Sequence, residues 1–142
     1  METMKWLIGL SGALVLLGTD YMLAQNFAYQ PDQNWRTPVA AAARQNPLFD
    51  KPEAMAGGRK LFLRNCAECH GHDGAGIEKK HSADLQLPVV QVQSDGVLFW
   101  KITNGNTAHG MPSWSKLPEL QRWQLVLYVR TLGTAPQSPA TK

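Results

Sequence analysis

The chain has 142 residues, of which 44% are apolar and 18% charged, and its formal net charge is +3. That size and balance allow one small packed domain with extensions. The basic residues form no block interleaved with aromatic side chains, so the sequence gives no support for nucleic-acid binding.

The first 24 residues have the pattern of an export signal. Residues 1–5 contain one lysine, and residues 6–19 are an uncharged, mostly apolar run of the length of a signal-peptide core. Cleavage after Ala24 would remove this signal peptide. Residues 6–24 are alternatively long enough for an uncleaved membrane anchor, although Asp20 lies inside them. Both alternatives predict a periplasmic domain, either soluble or tethered to the inner membrane by this segment alone.

Two polar segments flank the predicted domain. Residues 25–47 are rich in Gln, Asn and Ala and contain three prolines, which indicates a linker or a strap over the domain surface. Residues 39–45 within this segment are compatible with a helical turn or two. Residues 133–142 carry two prolines among small polar residues and are predicted to form a disordered tail. The domain is therefore assigned to residues 48–132.

Helical patterns account for most of this domain. A first helix is predicted over about residues 52–65, because Pro52 suits a first helical turn. A second is predicted over about residues 95–103, with Ser94 or Asp95 as its cap and a stop at Gly105.

A third helix is predicted over about residues 118–132, ending at Gly133. Its buried stripe is predicted to contain Leu120, Trp123, Leu127 and Tyr128. Residues 87–92 are the best strand candidate, but Pro88 weakens it. The sequence therefore predicts a small all-α domain.

The cysteines form the clearest motif. Residues 66–70 read Cys-Ala-Glu-Cys-His, a C-x-x-C-H haem-attachment sequence, and the chain has no other cysteine. In this chemistry Cys66 and Cys69 add across two vinyl groups of haem as thioethers, and His70 becomes an axial ligand of the iron. A thioredoxin-like dithiol favours a βαβ context, whereas a helix is predicted here. A zinc site needs further ligands, which only other histidines supply.

The second axial position is assigned to Met111, which lies between Gly110 and Pro112. A neutral, soft thioether suits ferrous iron and raises the reduction potential. His109 is the main competing ligand, and Met111 as an ordinary loop residue is the other alternative. The remaining histidines are expected to be solvent-exposed: His72 and His81.

The order of these motifs resembles a bacterial class I c-type cytochrome, a monohaem cytochrome c domain, over about residues 46–132. The resemblance rests on a glycine-bearing helix, the C-x-x-C-H motif, the Gly-Met-Pro loop and an aromatic-bearing last helix. It implies a helical fold around one covalent haem c, in which the first and last helices cross. Gly58 would allow their close approach, and the candidate packing aromatics are Phe62, Trp123 and Tyr128.

The chain departs from the family pattern at Ala83. Family members usually carry a proline there, whose carbonyl accepts a hydrogen bond from the proximal imidazole. Alanine retains the carbonyl, so the bond to His70 is expected to survive on a less rigid backbone. The nearby Lys79 and Lys80 indicate an exposed loop, which is either a docking surface or simply solvated.

An iron bound by both His70 and Met111 has no open position, which favours electron transfer over catalysis. The sequence thus predicts a non-enzymatic electron carrier whose partners are redox proteins such as a dehydrogenase, an oxidase or another cytochrome. The alternative is a haem enzyme or gas sensor with an open or labile distal site, where His109 would assist. Four residues are candidates by type for contacting the haem propionates: Trp100, Asn104, Trp114 and Arg122.

Overall fold

The computed structural model describes residues 32–133. These contain six α-helices and no strand: α1 (Val39–Ala42), α2 (Met55–Asn65), α3 (Ala67–His70), α4 (Pro88–Gln91), α5 (Asp95–Asn104) and α6 (Glu119–Leu132). Single 3₁₀ turns lie at Pro52–Ala54, Glu78–Lys80 and Thr107–His109. No described helix has the length and apolarity needed to cross a bilayer. The predicted export segment, residues 25–31 of the connector and residues 134–142 of the tail lie outside the described residues.

The three predicted helices are confirmed as α2, α5 and α6. The Ser94 side chain caps α5 by accepting a 3.3 Å hydrogen bond from the Val97 amide, and Gly105 ends that helix. The weak strand candidate at residues 87–92 is wrong. Those residues contain α4 instead, because Pro88 occupies the first turn, where its missing N–H has no cost.

The domain is organised around the crossing of α2 and α6. A Cβ atom on Gly58 would lie 2.1 Å from the Gln124 carbonyl oxygen, so the two backbones touch where Gly58 has no side chain. Beside this point the Phe62 and Tyr128 rings pack with centroids 5.1 Å apart. The crossing implied by the family resemblance is therefore confirmed.

The predicted buried stripe of α6 is only partly correct. Trp123 is 1% exposed and stacks on Phe99 of α5 at a centroid distance of 3.9 Å, but Leu120 is 59% exposed. Apolar residues occur on several sides of α6, so helical spacing alone does not identify the covered side. Packing against both α2 and α5 selects a wider face: Trp123, Leu125, Val126, Val129 and Leu132.

Residues 32–47, named the strap here, pack on the domain surface. Ser94 Oγ donates a 2.7 Å hydrogen bond to the Ala42 carbonyl, which attaches α1 to the start of α5. Asn46 is 6% exposed, and its Nδ2 donates to the Trp123 carbonyl at 3.2 Å. Of the two interpretations of the connector, the strap applies to its described part.

Candidate functional site

The C-x-x-C-H motif forms a helical turn directly after α2. The Cys66 amide donates to the Phe62 carbonyl at 2.8 Å, and the His70 amide donates to the Cys66 carbonyl at 2.9 Å. This turn directs both thiols and the His70 ring towards one side, where they line a cavity of about 700 Å³.

Met111, in the loop before α6, lines the same cavity. The structure thus brings together all four predicted site residues, and their roles as haem ligands stay predictions. Much of the remaining wall is apolar. It comes from four helices, α2, α4, α5 and α6, and from the loop between α3 and α4: Phe62, Leu85, Val90, Leu98, Ile102, Leu125 and Val129. A mostly apolar cavity with a few polar groups is the usual form of a cofactor site.

His70 is oriented by a backbone acceptor. Its Nδ1–H donates to the Ala83 carbonyl oxygen at 3.0 Å, which confirms that alanine preserves the bond expected there. Burial lowers the pKa of His70 and the Ala83 carbonyl opposes that shift, so the imidazole is neutral at neutral pH. With Nδ1 occupied, Nε2 is the nitrogen left to bind a metal.

Ser82 supports this arrangement. Its hydroxyl donates to the Cys69 carbonyl and accepts from the Ile77 amide at 2.8 Å. The segment that carries Ala83 is thereby bound to the backbone of the attachment motif. The hydroxyl replaces, in part, the stiffness that a proline at position 83 would provide.

The thiol chemistry argues against a dithiol or zinc site. Burial, with a contribution from Cys69, raises the pKa of the Cys66 thiol to about 12. Thiol–disulfide exchange requires a thiolate, which is scarce at such a pKa. Within residues 32–133 no three His, Cys, Asp or Glu side chains converge as a metal site.

The loop before Met111 is closed by a pair of backbone hydrogen bonds. The Asn106 amide donates to the Met111 carbonyl at 2.8 Å, and the Met111 amide donates back at 3.0 Å. Gly110 closes the turn at a φ of 82°, which glycine adopts readily. His109 also lines the cavity, but its Nδ1 contacts Asn106 Oδ1 at 3.2 Å and its side chain is 57% exposed.

Other predicted residues divide between the cavity and the surface. His72 and His81 are exposed, as expected, and His81 also lines the cavity. Of the four propionate candidates, only Trp114 lines the cavity. Arg122 instead donates to Thr103 Oγ1 at 2.6 Å and to the Leu117 carbonyl at 3.1 Å.

Trp35 of the strap and Lys101 of α5 are among the cavity residues that the sequence reasoning missed. The Lys101 Nζ atom lies 4.7 Å from the Trp35 ring centroid. A lone tryptophan in an otherwise polar connector was the available signal, because a large aromatic side chain gains most by packing on a domain.

The cavity suits a large planar group with an apolar body and a polar edge. Three buried polar atoms on its lining residues have no hydrogen-bond partner within the described part of the chain: Trp35 Nε1, Asn65 Nδ2 and Gln93 Oε1. Buried polar groups are normally paired, so such atoms indicate a polar ligand. Haem fits the apolar wall and the thiol–imidazole motif, and its two carboxylates can accept hydrogen bonds from the two donors, Trp35 Nε1 and Asn65 Nδ2.

Comparison with known proteins agrees with this chemistry. Residues 53–129 match the family described as cytochrome C oxidase, cbb3-type, subunit III. The chain is 35% identical over 86 residues, 59% of its length, to the "Cbb3-type cytochrome c oxidase subunit FixP" of Azorhizobium caulinodans. It is 29% identical over 92 residues to the "Cbb3-type cytochrome c oxidase subunit CcoP" of Rhodobacter capsulatus. The matches cover 29% and 31% of the lengths of these relatives.

Proposed function

The chain belongs to the cbb3-type cytochrome c oxidase subunit III family, and on that premise we propose that it is a periplasmic monohaem electron carrier. Membership places it among class I c-type cytochromes, which are electron-transfer haem proteins. The finer statements, namely one haem, the ligands His70 and Met111, and the periplasmic location, are the proposal.

Four side chains would hold the cofactor. Cys66 and Cys69 would form the thioethers, while His70 Nε2 and Met111 Sδ would bind the iron. When bound, the haem iron supplies a one-electron ferric/ferrous couple whose potential depends on these ligands and their surroundings.

The observation that carries the proposal is the convergence of both thiols, His70 and Met111 on one cavity. The Ala83 carbonyl fixes the His70 ring, and the paired hydrogen bonds of Asn106 and Met111 fix the opposite loop. An imidazole ring and a loop backbone that are held in place move little when the oxidation state changes. With both ligands bound, such an arrangement would suit rapid transfer of single electrons and would leave no iron position for a substrate.

A second function is favoured by one observation. His109 lines the same cavity two residues from Met111, so a labile Met111 would leave an iron position with a nitrogen base beside it. That arrangement would suit a gas sensor or a haem enzyme.

We further propose that residues 1–24 export the chain, either with cleavage after Ala24 or with residues 6–24 retained as an anchor. The domain proposed for residues 48–132 would then function with the strap packed against its surface. The matched relatives are named as oxidase subunits, so a terminal oxidase is the first electron acceptor to test.

Carbon monoxide binding to the reduced, haem-loaded protein tests the proposal. We expect no binding by the native chain, binding after Met111→Ala, and no binding by the matched control His109→Ala. Binding by the native chain would favour the sensor or enzyme. Binding by His109→Ala but not by Met111→Ala would make His109 the axial ligand.

A further inference from the structure

The strap brings to the cavity a polar group that lies outside the family match at residues 53–129. Trp35 is part of the cavity wall, and its indole Nε1 is buried without a hydrogen-bond acceptor among residues 32–133. An indole N–H can only donate. A buried donor of this kind destabilises the fold unless a ligand accepts from it.

Strap residues before and after Trp35 are held in place. Asp32 accepts a 2.9 Å hydrogen bond from Asn106 Nδ2, which connects the start of the strap to the loop of Met111. At the other end, a Cβ atom on Gly96 would lie 2.3 Å from the Ala41 carbonyl oxygen, so the strap backbone rests directly on α5. Trp35 is therefore positioned between two anchored points.

Lys101 of α5 places a cation over the indole ring that carries this donor. Its Nζ atom is 4.7 Å from the centroid of the Trp35 ring, and both residues line the cavity. Burial lowers the pKa of Lys101, which is the direction expected for a cation that has lost water without gaining an anion.

The other charged groups of the cavity do not supply that anion. Lys80 pairs with Glu68 at 2.9 Å, and the Asp32 carboxylate accepts from Asn106 and lies 3.6 Å from His109 Nδ1. Within residues 32–133, Lys101 forms no ion pair. Beyond His70 and the thiols, the titratable lining residues are Asp32, Glu68, Lys80, His81, Lys101 and His109.

A buried N–H donor beside a partly desolvated ammonium group is a site for a carboxylate. We propose that Trp35 Nε1 and Lys101 Nζ together bind one haem propionate, so that the strap forms part of the cofactor site. This inference rests on the proposed function, since it requires the haem attached through Cys66 and Cys69. Trp35 and Lys101 take the place of the three propionate candidates that do not line the cavity: Trp100, Asn104 and Arg122.

The binding has a consequence for the redox couple. A cation near the haem favours the reduced state, because reduction lowers the charge of the iron. An indole donor weakens the negative field of the carboxylate and acts in the same direction. Both groups therefore raise the reduction potential.

The test compares haem-loaded variants: Trp35→Phe, Lys101→Gln and Lys101→Arg, with Trp100→Phe and Lys116→Gln as matched controls outside the cavity. Covalent haem is verified first by pyridine haemochrome spectra of the denatured proteins. The reduction potential and the propionate bending band in the resonance Raman spectrum are then measured for each variant.

Lys101→Gln is expected to lower the equilibrium constant for reduction about tenfold, because a unit charge at roughly 10 Å has about that effect at an effective dielectric constant near 20. Lys101→Arg should restore the potential. Trp35→Phe should shift the propionate band and lower the potential by less. The double variant Trp35→Phe/Lys101→Gln should lower the reduction potential by less than the sum of the two single shifts, since both groups bind one carboxylate.

Unchanged potential and Raman band in Trp35→Phe and Lys101→Gln, relative to their controls, would overturn the propionate site while leaving the electron carrier intact. A native chain without covalent haem would overturn the proposed function itself, and the haemochrome spectra reveal that outcome before any variant is compared. The two failures are therefore distinguishable.

Discussion

Replacing Gly58 with alanine tests the helix crossing that positions the attachment motif. The added Cβ atom would lie 2.1 Å from the Gln124 carbonyl oxygen, 2.8 Å from its carbonyl carbon and 3.1 Å from Tyr128 Cβ. Ordinary contacts between such atoms are more than 1 Å longer than the shortest of these. Backbone atoms cannot rotate away, so α2 and α6 must separate.

Two opposing effects set the expected magnitude. Overpacking in a packed core costs about 1–3 kcal/mol, and a clash with rigid backbone belongs at the upper end of that range. Alanine in place of glycine inside a helix raises the free energy of unfolding by about 1 kcal/mol. We therefore expect Gly58→Ala to lower the free energy of unfolding by about 2 kcal/mol, and the midpoint temperature by about 10 °C.

Gly57→Ala is the matched control on the same helix. Its Cβ atom would meet only the end of the flexible Gln124 side chain, with Nε2 at 2.8 Å, and that side chain can rotate away. The control should be neutral or slightly stabilising. Urea denaturation of the haem-loaded proteins, followed by far-ultraviolet circular dichroism, measures both. Equal stability of the two variants would refute the reasoning.

Three further changes test other contacts. Arg44 lowers the pKa of Glu119 below 4.5 through its hydrogen bond. Glu119→Gln should therefore reduce stability near neutral pH, with the difference lost as pH falls through the lowered pKa; a pH-independent difference would contradict this. Arg130→Lys should lower the free energy of unfolding, measured by urea denaturation, by about 1–3 kcal/mol, because lysine lacks the planar guanidinium group that binds Asp95 at the start of α5. A variant as stable as the native protein would contradict this. Gly96→Ala should displace the strap at Ala41 and speed tryptic cleavage at Arg44, and an unchanged cleavage rate would refute that contact.

Local signals in the sequence were sufficient for the helices and the proximal side of the site. Ser94 and Gly105 cap the two ends of α5. The spacing of Cys66, Cys69 and His70 needs only one helical turn to direct the three side chains to one side. The Ala83 carbonyl was expected to accept from His70 because every residue type retains that group.

Features that depend on tertiary packing escaped prediction. The exposed position of Leu120 follows from where α2 and α5 lie against α6, which helical spacing does not specify. Trp35 and Lys101 are 66 positions apart, and their contact depends on the close packing of the strap against α5. Propionate candidates chosen by residue type therefore included Arg122, whose guanidinium instead bonds to Thr103 and Leu117.

The cavity also bears on how the domain is stabilised. Without a cofactor, the mostly apolar wall of this cavity would be in contact with water, at a cost of about 25 cal/mol for each Å². Small domains are stable by only about 5–15 kcal/mol, so leaving this wall uncovered would remove a large part of that stability. We therefore expect the double variant Cys66→Ser/Cys69→Ser, purified without haem, to lack a cooperative unfolding transition and dispersed amide NMR signals. A haem-free chain that unfolds cooperatively would mean that α2, α5, α6 and the strap hold one another without the cofactor. The propionate contact at Trp35 would then adjust a fold that already exists, whereas the uncovered apolar wall argues that the cofactor completes it.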